Sequence, residues 1–368
     1  MLVGSGEFWN CLTDDLENAS QRAYVQTFSF EGDRAGTALG RALERCSAPD
    51  RRLLVDGYSL LSQNDRIIPG PAWLNRSFRR EVKLTHYWVS RLRDGGAGVR
   101  FGNPIGPSPV KLIRRNHKKL VVIDNRITYF GGINFSDHNF KWHDMMFRVE
   151  DSDLADLMGL DFRRSWEGDP VALDRCVGDL RVILLSGRGN ANTLRPVFKG
   201  ISSARRSIDV VSPYLSHPFT ERLGAACRCG VRVRVLTPRE NNKPNLARHI
   251  LHTAHLYGFE VFHSLHEMSH MKAMLIDDEL LVVGSSNLDS MGYYILEDVI
   301  VMTRDRTMVD AFIERVWKPD LASAVPVQVR PSTSTFLGHA ALRIGASIAS
   351  ALALPSPRLR AGEVPEEN

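Results

Sequence analysis

The chain has 368 residues, more than one compact core usually holds, so two domains or one duplicated unit are expected. Apolar residues make up 43% and charged residues 24%, which excludes a fibrous or largely disordered protein. The net charge is +5 and the pI is near 9.0. This mild basic excess suits an anionic partner, either nucleic acid or an anionic membrane, without requiring one.

Cysteine usage and apolar runs bear on the compartment. The five cysteines are an odd number, and only Cys227 and Cys229 are close in sequence. This predicts reduced thiols in a cytosolic setting rather than a disulfide framework or a zinc site. The first ten residues lack the basic-then-apolar pattern of a signal peptide. There is no charge-free apolar run of about 20 residues, so no membrane span is predicted.

Helices and strands alternate along the chain. The predicted helices cover 9–20, 36–46, 77–93, 193–206, 219–229 and 245–257. The predicted strands cover 24–30, 52–56, a short stretch at Val99, 208–211, 231–236 and 259–262. The segment 151–170, which ends in Glu-Gly-Asp-Pro, is interpreted as a connector. This alternation predicts an α/β fold in which helices cover mixed sheets.

An internal repeat is the most informative feature. Both copies follow the pattern H-x-K-x4-D, the first over 117–124 and the second over 270–277. In each copy a glycine follows 14 positions and an asparagine 17 positions after the histidine, which gives Asn134 and Asn287. Matching so many positions twice by chance is improbable. The chain is therefore interpreted as a duplication.

The duplication predicts two α/β/α halves that pack about a pseudo-twofold axis. We expect the first half over 1–165 and the second over 166–325, followed by a C-terminal segment over 326–368. Within that segment, 336–354 reads as an amphipathic helix with Arg343 near its middle. One face carries Leu337, Ala341, Ile344, Ile348 and Leu352, and the other carries His339, Arg343, Ser347 and Ser350. Such a helix suits a membrane interface or packs as a terminal helix on its own domain.

The residue types of the motif suit phosphate chemistry. On a strand, the histidine and lysine of H-x-K point to the same face. Imidazole, with an ordinary pKa of about 6.5, is a nucleophile or a general acid, and the lysine neutralises an anion beside it. The later asparagine adds neutral donors. This set binds and attacks a phosphate without a metal.

Two copies of the set divide the labour. If both histidines face one phosphate from opposite sides, one attacks phosphorus in line and the other protonates the leaving alcohol. The doubled motif closely resembles the phospholipase D superfamily, and finer features resemble bacterial cardiolipin synthases without N-terminal membrane spans. These features, within residues 8–320, are QTFSF (26–30) with Asp33 and Gly36, LVDG (54–57), GGIN (131–134), WHD (142–144) and GSSNLD (284–289).

The resemblance implies a ping-pong phosphodiester exchange through a phosphohistidine. It implies His117 as the nucleophile and His270 as the general acid, which later acts as the base. The residues implied to hold the non-bridging phosphate oxygens are Lys119, Lys272, Asn134 and Asn287. No cofactor or metal is implied.

Acidic residues complete the implied site. Asp124 and Asp277 close the two motifs, and because each lies five residues beyond its lysine, we expect them to hold a loop or tune the site. Asp144 is the first candidate for orienting a histidine. In the second half the chain reads ILEDV (295–299), without the asparagine of the synthase pattern. Counting without a gap selects Asp298, whereas one deletion selects Glu297.

Several other residues admit two interpretations. The histidines at 249, 252 and 255 are interpreted as incidental on a partly exposed helix, because no cysteine or carboxylate completes a zinc site. The segment 212–218 either lines the site or is a plain strand-to-helix turn. Of the paired arginines, Arg114 and Arg115 are expected to meet anionic headgroups.

Two enzymatic functions compete. One is a phosphatidyltransferase that converts two phosphatidylglycerols into cardiolipin and glycerol, with phospholipase D hydrolysis as a side reaction. The other is a metal-independent nuclease, which ought to show a basic groove with interleaved aromatics, and aromatics are only 8% of the chain. A degenerate binding scaffold is disfavoured because both motifs are complete. The lipid hypothesis predicts an anionic phospholipid partner, no nucleic acid, and a cytoplasmic enzyme bound peripherally to the cell membrane.

Overall fold

The computed structural model describes residues 1–64, 66–68, 70–106, 109–266, 268–328 and 333–353. The first half begins with a strand and ends with a long helix. Its strands are β1 (Leu2–Val3), β2 (Arg22–Thr27), β3 (Asp50–Asp56), β4 (Ser62–Gln63), β5 (Arg66–Ile67), β6 (Gly98–Gly102), β7 (Leu120–Ile123), β8 (Ile127–Gly131) and β9 (Met145–Glu150). Its helices are α1 (Gly4–Glu17), α2 (Arg34–Arg45), α3 (Arg76–Asp94), α4 (Pro109–Ile113), α5 (Asp137–Lys141) and α6 (Ser152–Glu167), with 3₁₀ turns at Gly57–Leu60 and Pro71–Leu74.

The second half repeats this arrangement and adds a terminal helix. Its strands are β10 (Leu173–Val177), β11 (Leu180–Ser186), β12 (Ser207–Val211), β13 (Arg232–Pro238), β14 (Glu260–Ser264), β15 (Ala273–Ile276), β16 (Leu280–Gly284), β17 (Glu297–Thr303) and β18 (Val325–Pro326). Its helices are α7 (Asn190–Thr193), α8 (Arg195–Ser202), α9 (Phe219–Arg228), α10 (Pro244–Tyr257), α11 (Ser290–Tyr294), α12 (Arg306–Phe312), α13 (Lys318–Ser323) and α14 (Thr333–Leu352), with a π turn at Ile313–Trp317.

Strand order confirms the predicted duplication and the mixed sheets. The first sheet contains the run β9-β8-β7-β2-β3-β6, and the second contains β17-β16-β15-β12-β13-β14. In each run the last three strands pair in parallel and the others are antiparallel. β7 and β15, the strands that follow the two H-x-K motifs, therefore occupy the same position, third, in the two strand orders. The fold class expected from the repeat is the one observed.

Side chains of the central strands alternate between two cores. In β7, Leu120 and Val122 face an inner core, whereas Val121 and Ile123 face the outer core of the first half. The same alternation holds in β15. The inner core contains residues of both sheets and of α6 and α12. Because the two halves share this core, we expect neither to be stable alone.

Several sequence predictions need correction. The predicted connector over 151–170 is mostly the helix α6, because Asp151 caps its first turn by accepting from the Leu154 amide and Gly168 ends it in the left-handed conformation. The predicted helix over 193–206 starts where α7 ends at Thr193, and α8 covers only Arg195–Ser202 of it. The domain boundaries at 165 and 325 stay predictions. No helix in the part of the chain that the structure describes is both long and apolar enough to cross a membrane.

Candidate active site

Each H-x-K motif lies just before its strand rather than on it. β7 begins at Leu120, directly after Lys119, and β15 begins at Ala273, directly after Lys272. The backbone before each strand pairs with the opposite half. The amide of His117 donates to the Glu297 carbonyl, and the amide of His270 donates to the His143 carbonyl, both at 2.8 Å. Each bond becomes the other when the two halves are interchanged, as expected for a pseudo-twofold axis.

Each histidine also contacts a carboxylate of the opposite half. His117 Nδ1 lies 3.1 Å from Asp298 Oδ1, and His270 Nδ1 lies 2.8 Å from Asp144 Oδ2. Because Asp298 engages Nδ1 of His117, Nε2 is the ring nitrogen of His117 left for a substrate. Of the two candidates in the second half, the geometry therefore selects Asp298. The Glu297 carboxylate accepts instead from Asn103 Nδ2 at 2.7 Å, so Glu297 is the alternative that the geometry does not favour.

The two lysines are buried, and each contacts the histidine of its own motif. Lys119 Nζ donates to the His117 carbonyl at 2.6 Å, and Lys272 Nζ donates to the His270 carbonyl and lies 3.0 Å from His270 Nε2. Burial lowers the pKa of Lys272 to about 8 and that of Lys119 well below its usual range. A bound phosphate would offset this desolvation. Two buried lysines side by side with the histidines therefore make this site chemically suited to an anion.

Both histidines are neutral at neutral pH. Burial, followed by repulsion from Lys119, lowers the pKa of His117 to about 4. Burial, followed by repulsion from Lys272, lowers the pKa of His270 well below its usual range. Burial raises the pKa of Asp144 to about 6. A neutral imidazole oriented by a carboxylate is a competent nucleophile or base.

One small cavity of about 110 Å³ joins the two histidines. Both asparagines of the repeat line it, so the cavity collects the predicted histidines and amides in one place. Tyr214 lines it as well, which answers the open question about the segment 212–218. The full lining is Phe28, Ser29, Glu31, Tyr58, Ser59, Ser62, His117, Asn134, His138, Asn139, Trp142, Tyr214, Asn242, Lys243, His270 and Asn287.

The two aspartates that close the motifs lie outside this cavity. Asp124 accepts from the backbone amides of Ser20, Gln21 and Arg22 at 2.8–3.1 Å. Asp277 accepts in the same way from the amides of 205–207 at 2.7–3.0 Å. Both aspartates sit at positive φ in the turn that follows their strand. Both aspartates therefore hold a loop, which is one of the two roles expected for them, and a direct part in catalysis stays a prediction.

The expectation for the arginine pair is also wrong in part. Arg115 is 6% exposed, and its Nη1 lies 3.1 Å from Asp56 Oδ1 inside the first half. The same carboxylate group accepts from the Asn116 amide next to the motif. A buried, paired guanidinium cannot reach a headgroup. Arg115 instead positions the segment that leads into His117.

Two supporting features escaped the sequence analysis. Ser285 Oγ donates to Asp298 Oδ1 at 2.7 Å and accepts from the Val299 amide, so it holds the carboxylate that contacts His117. Its position directly after the repeated glycine was the available signal. The second feature is a cluster beside the cavity. The buried carboxylate of Asp320 accepts from His143 Nε2 at 2.9 Å and contacts His266 Nε2 at 3.2 Å.

This cluster has the composition of a metal site. In the described residues it is the group of three potential ligands whose atoms lie within 4.8 Å of one another. The imidazoles of His143 and His266 stack with their centroids 3.8 Å apart, and each contacts a different oxygen of Asp320. The arrangement satisfies both carboxylate oxygens by hydrogen bonding. It joins the two halves next to Asp144, outside the cavity lining.

Fold and site together define a duplicated phospholipase D-like protein with one site between its halves. The chain belongs to the family described as "Cardiolipin synthase, PLD-like domain", which matches residues 12–166 and 197–318. It is 25% identical over 337 residues to cardiolipin synthase B of Escherichia coli (strain K12), covering 83% of this chain and 76% of that protein. It is 26% identical over 377 residues to cardiolipin synthase A of Pseudomonas putida (strain GB-1), covering 95% and 73%.

A solved structure shares the whole fold. The phosphatidylserine synthase of Haemophilus influenzae Rd KW20 superposes with a TM-score of 0.72, covering 96% of this chain and 94% of that one at 14% sequence identity. The polyphosphate kinase of Porphyromonas gingivalis superposes with a TM-score of 0.58 and covers 92% of this chain at 12% identity. At these identities the likeness concerns the fold alone.

Proposed function

We propose that this protein is a phosphatidyltransferase that makes cardiolipin from phosphatidylglycerol, or from a related phospholipid, by ping-pong transphosphatidylation. One observation carries the proposal. Two neutral histidines, each held by a carboxylate of the opposite half, line the same small cavity. The family match and the two cardiolipin synthase relatives support phospholipid transfer in general. Hydrolysis, in which water replaces the alcohol acceptor, is the expected side reaction.

In the first step, His117 Nε2 attacks the phosphorus of the donor lipid. An N–P bond forms, the bond from phosphorus to the leaving glycerol oxygen breaks, and His270 gives that oxygen a proton. In the second step, a hydroxyl of the acceptor lipid gives its proton to His270 and attacks phosphorus. The N–P bond then breaks and His117 returns to its neutral form. Protons and phosphoryl groups balance over the cycle.

The electrostatics of the cavity support these roles. His117 is ready as a nucleophile because burial and Lys119 keep its pKa at about 4. His270 must carry a proton to act as an acid, yet burial and the two lysines lower its pKa. The negative charge of a bound phosphodiester favours the imidazolium and raises this pKa. Substrate binding therefore prepares the acid.

Amides and lysines would hold the two non-bridging oxygens. Asn134 and Asn287 line the cavity from the two halves, and the buried Lys119 and Lys272 lie beside the histidines of their motifs. Positive charge placed where negative charge develops lowers the barrier of phosphoryl transfer. This binding set uses no metal and no cofactor. The enzyme would work at the cytoplasmic face of the cell membrane, bound peripherally to anionic phospholipid.

The test compares lipid with nucleic acid. Purified protein is incubated with phosphatidylglycerol vesicles and, separately, with single-stranded DNA, both with a chelator present. We expect chelator-resistant formation of cardiolipin and glycerol, lost in His117→Ala. His86→Ala is the matched control, because His86 is an exposed residue of α3 away from the cavity. DNA cleavage without a lipid product would overturn the proposal in favour of a nuclease, and loss of lipid transfer with the chelator would overturn the metal-free mechanism.

A further inference from the structure

The C-terminal helix α14 presents its apolar face to solvent. Phe336, Leu337, Ile344 and Ile348 are 55–63% exposed, whereas the buried residues of the helix are small: Thr335, Gly338, Ala346 and Ala349. A helix that packs on its own domain normally buries its large apolar residues. We propose that this exposed face, called here the helix patch, binds a bilayer of anionic phospholipid and so keeps the enzyme on the surface that holds its substrate. The proposal rests on the proposed function.

Polar contacts fix the helix in this orientation. Arg343 Nη1 lies 2.6 Å from Glu221 Oε1 on α9, and His339 Nδ1 lies 3.2 Å from His249 Nδ1 on α10. Gly338 lies so close to Arg248 that an added Cβ would stand 2.7 Å from the Arg248 Cβ. The inward face of the helix carries the small residues Gly338, Ala346 and Ala349, and the contacts of His339 and Arg343 lie at its border. Of the histidines interpreted as incidental, His249 therefore has a structural role, since it is fully buried and contacts His339 of α14.

The helix also lies next to the cavity. Leu342 of α14 packs against an apolar cluster of Tyr214, Leu246, Met268 and Trp142. Tyr214 and Trp142 of this cluster line the cavity itself. Leu342 shares the inward face of the helix with Gly338, Ala346 and Ala349, opposite the helix patch. The helix therefore rests on residues of the cavity wall and turns the helix patch outward.

A second exposed apolar stretch lies on the first half. Between β3 and α3 the chain supplies Tyr58, Ser59 and Ser62 to the cavity lining. The same stretch exposes four large apolar side chains, called here the loop patch: Leu60 (45%), Ile67 (57%), Trp73 (40%) and Leu74 (82%). Exposed apolar side chains that collect in one short stretch mark an interaction surface. The cavity therefore has an apolar patch on each half.

Charge and size identify the partner as anionic lipid. The exposed Arg66 precedes Ile67 of the loop patch, and the exposed Arg76 follows Leu74 by two residues. α14 has no acidic residue over its 20 positions. Cations beside apolar side chains suit an anionic membrane surface. The cavity of about 110 Å³ accommodates a phosphate but is smaller than the several hundred Å³ typical of sites for drug-sized ligands. The acyl chains must therefore stay outside, where the two patches hold the bilayer.

Vesicle flotation of full-length variants tests this surface. The test pairs are Ile344→Ser with Ile348→Ser on the helix patch and Ile67→Ser with Leu74→Ser on the loop patch. The control pair is Leu160→Ser with Val171→Ser, which removes exposed apolar side chains away from the cavity. With phosphatidylglycerol vesicles we expect each test pair to lower partitioning about tenfold or more and the control pair to leave it unchanged. Vesicles of zwitterionic phosphatidylcholine, which has no net charge, should bind the wild type more weakly than phosphatidylglycerol vesicles do.

Activity on a soluble substrate separates this proposal from the proposed function. On a short-chain phosphatidylglycerol below its micelle concentration, the test pairs should turn over like the wild type. Equal flotation of the wild type and both test pairs would overturn the bilayer surface even if cardiolipin forms. A dimer that the Ile344→Ser, Ile348→Ser pair dissociates, with flotation unchanged, would assign the face to a second copy of the chain. If the test pairs lose flotation but the wild type forms no lipid product, the proposed function is overturned and the bilayer surface is not.

Discussion

The two copies of the motif agree in their contacts to the cavity and differ in the residue between histidine and lysine. In the first copy this residue is Lys118, fully buried, with Nζ 2.6 Å and 2.8 Å from the two carboxylate oxygens of Asp161 on α6. In the second copy it is Met271, which lies in the inner core. Neither residue lines the cavity. One buried position therefore accepts an ion pair or an apolar side chain while the cavity residues stay the same.

A second difference concerns the support of the two carboxylates. Asp144 lies against Gly132, where an added Cβ would stand 2.3 Å from both carboxylate oxygens. Asp298 is held instead by the hydroxyl of Ser285, the residue that follows the repeated glycine in the second copy. One half therefore makes room for its carboxylate by close approach, and the other fixes it with a hydrogen bond. The same histidine contact is reached in two ways.

The largest expected effect separates the roles of the two histidines. His117→Ala should lower the rate of lipid transfer by about 10⁴-fold or more, because no covalent intermediate can form. His270→Ala should lower it by about 10²–10⁴-fold. With a phosphodiester whose leaving group is p-nitrophenolate, His270→Ala should recover most of its first step, because this group leaves without a proton. His117→Ala should not.

The measurement is the burst of p-nitrophenolate together with trapping of an acid-labile phosphoenzyme. His86→Ala again serves as the control because His86 lies on the surface. A burst that survives in His117→Ala and disappears in His270→Ala would exchange the two roles. The pseudo-twofold geometry alone does not choose between them, so this experiment decides an assignment that rests on family resemblance.

The second prediction concerns the stability of the first copy. Lys118→Met should lower the free energy of unfolding by about 3–5 kcal/mol, since it leaves Asp161 buried without its partner. Lys118→Met combined with Asp161→Leu should restore most of the loss, because an apolar pair replaces the ion pair. Met271→Lys, which buries an unpaired ammonium in the second copy, is the reciprocal variant and should destabilise strongly.

Urea unfolding at neutral pH measures all three variants. The double variant should keep its activity, because Lys118 does not line the cavity. A Lys118→Met variant as stable as the wild type would show that the ion pair contributes no net stability. Equal destabilisation of the single and double variants would instead indicate that the packing around this position, rather than the charge, decides the cost.

The sequence predicts the repeat and the cavity residues well because both depend on residue types at fixed spacing. His117, His270, Asn134 and Asn287 come together as expected. Local patterns could not predict contacts between the halves. The choice between Glu297 and Asp298 is an example, since strand alternation places only one of the two carboxylates toward the histidine.

Burial was the other physical quantity that the sequence did not supply. The sequence pattern predicts Arg115 as a surface cation. It is buried instead, because its guanidinium donates to Asp56, 59 positions earlier in the chain. The terminal helix was predicted as amphipathic with its orientation left open, and partners on α9 and α10 decide it. In both cases a long-range polar contact overrides the local pattern.

The third prediction concerns the residues that support the two carboxylates, with the residue of each copy placed in the other. Gly132→Ser should displace the Asp144 carboxylate and lower kcat by about 10²-fold, because His270 loses its orientation. Ser285→Gly removes one hydrogen bond to Asp298, and we expect a loss of about tenfold in kcat. KM for lipid should change little in both variants, since neither residue lines the cavity. Steady-state kinetics with unfolding curves measure this, and a fall in stability without a change in kcat would contradict the positioning role.

The smallest effects are expected at the two motif aspartates, where the copies agree most closely. Burial raises the pKa of Asp124 and Asp277, but their backbone amide donors outweigh it and hold both pKa values below the ordinary range. A lowered pKa contributes stability above the unfolded value of about 3.9, and this stability is lost as the pH falls through the folded value. Asp124→Asn and Asp277→Asn should each cost about 1 kcal/mol at neutral pH.

The difference between each variant and the wild type should shrink as the solution is acidified below the unfolded pKa, which urea titrations at several pH values would reveal. kcat should not change, because each side chain holds the turn after its strand and lies outside the cavity. The two variants should behave alike, since each aspartate accepts from three successive backbone amides. A loss of kcat at unchanged stability in either variant would indicate that this aspartate takes part in catalysis. It would also show that the two turns are not equivalent.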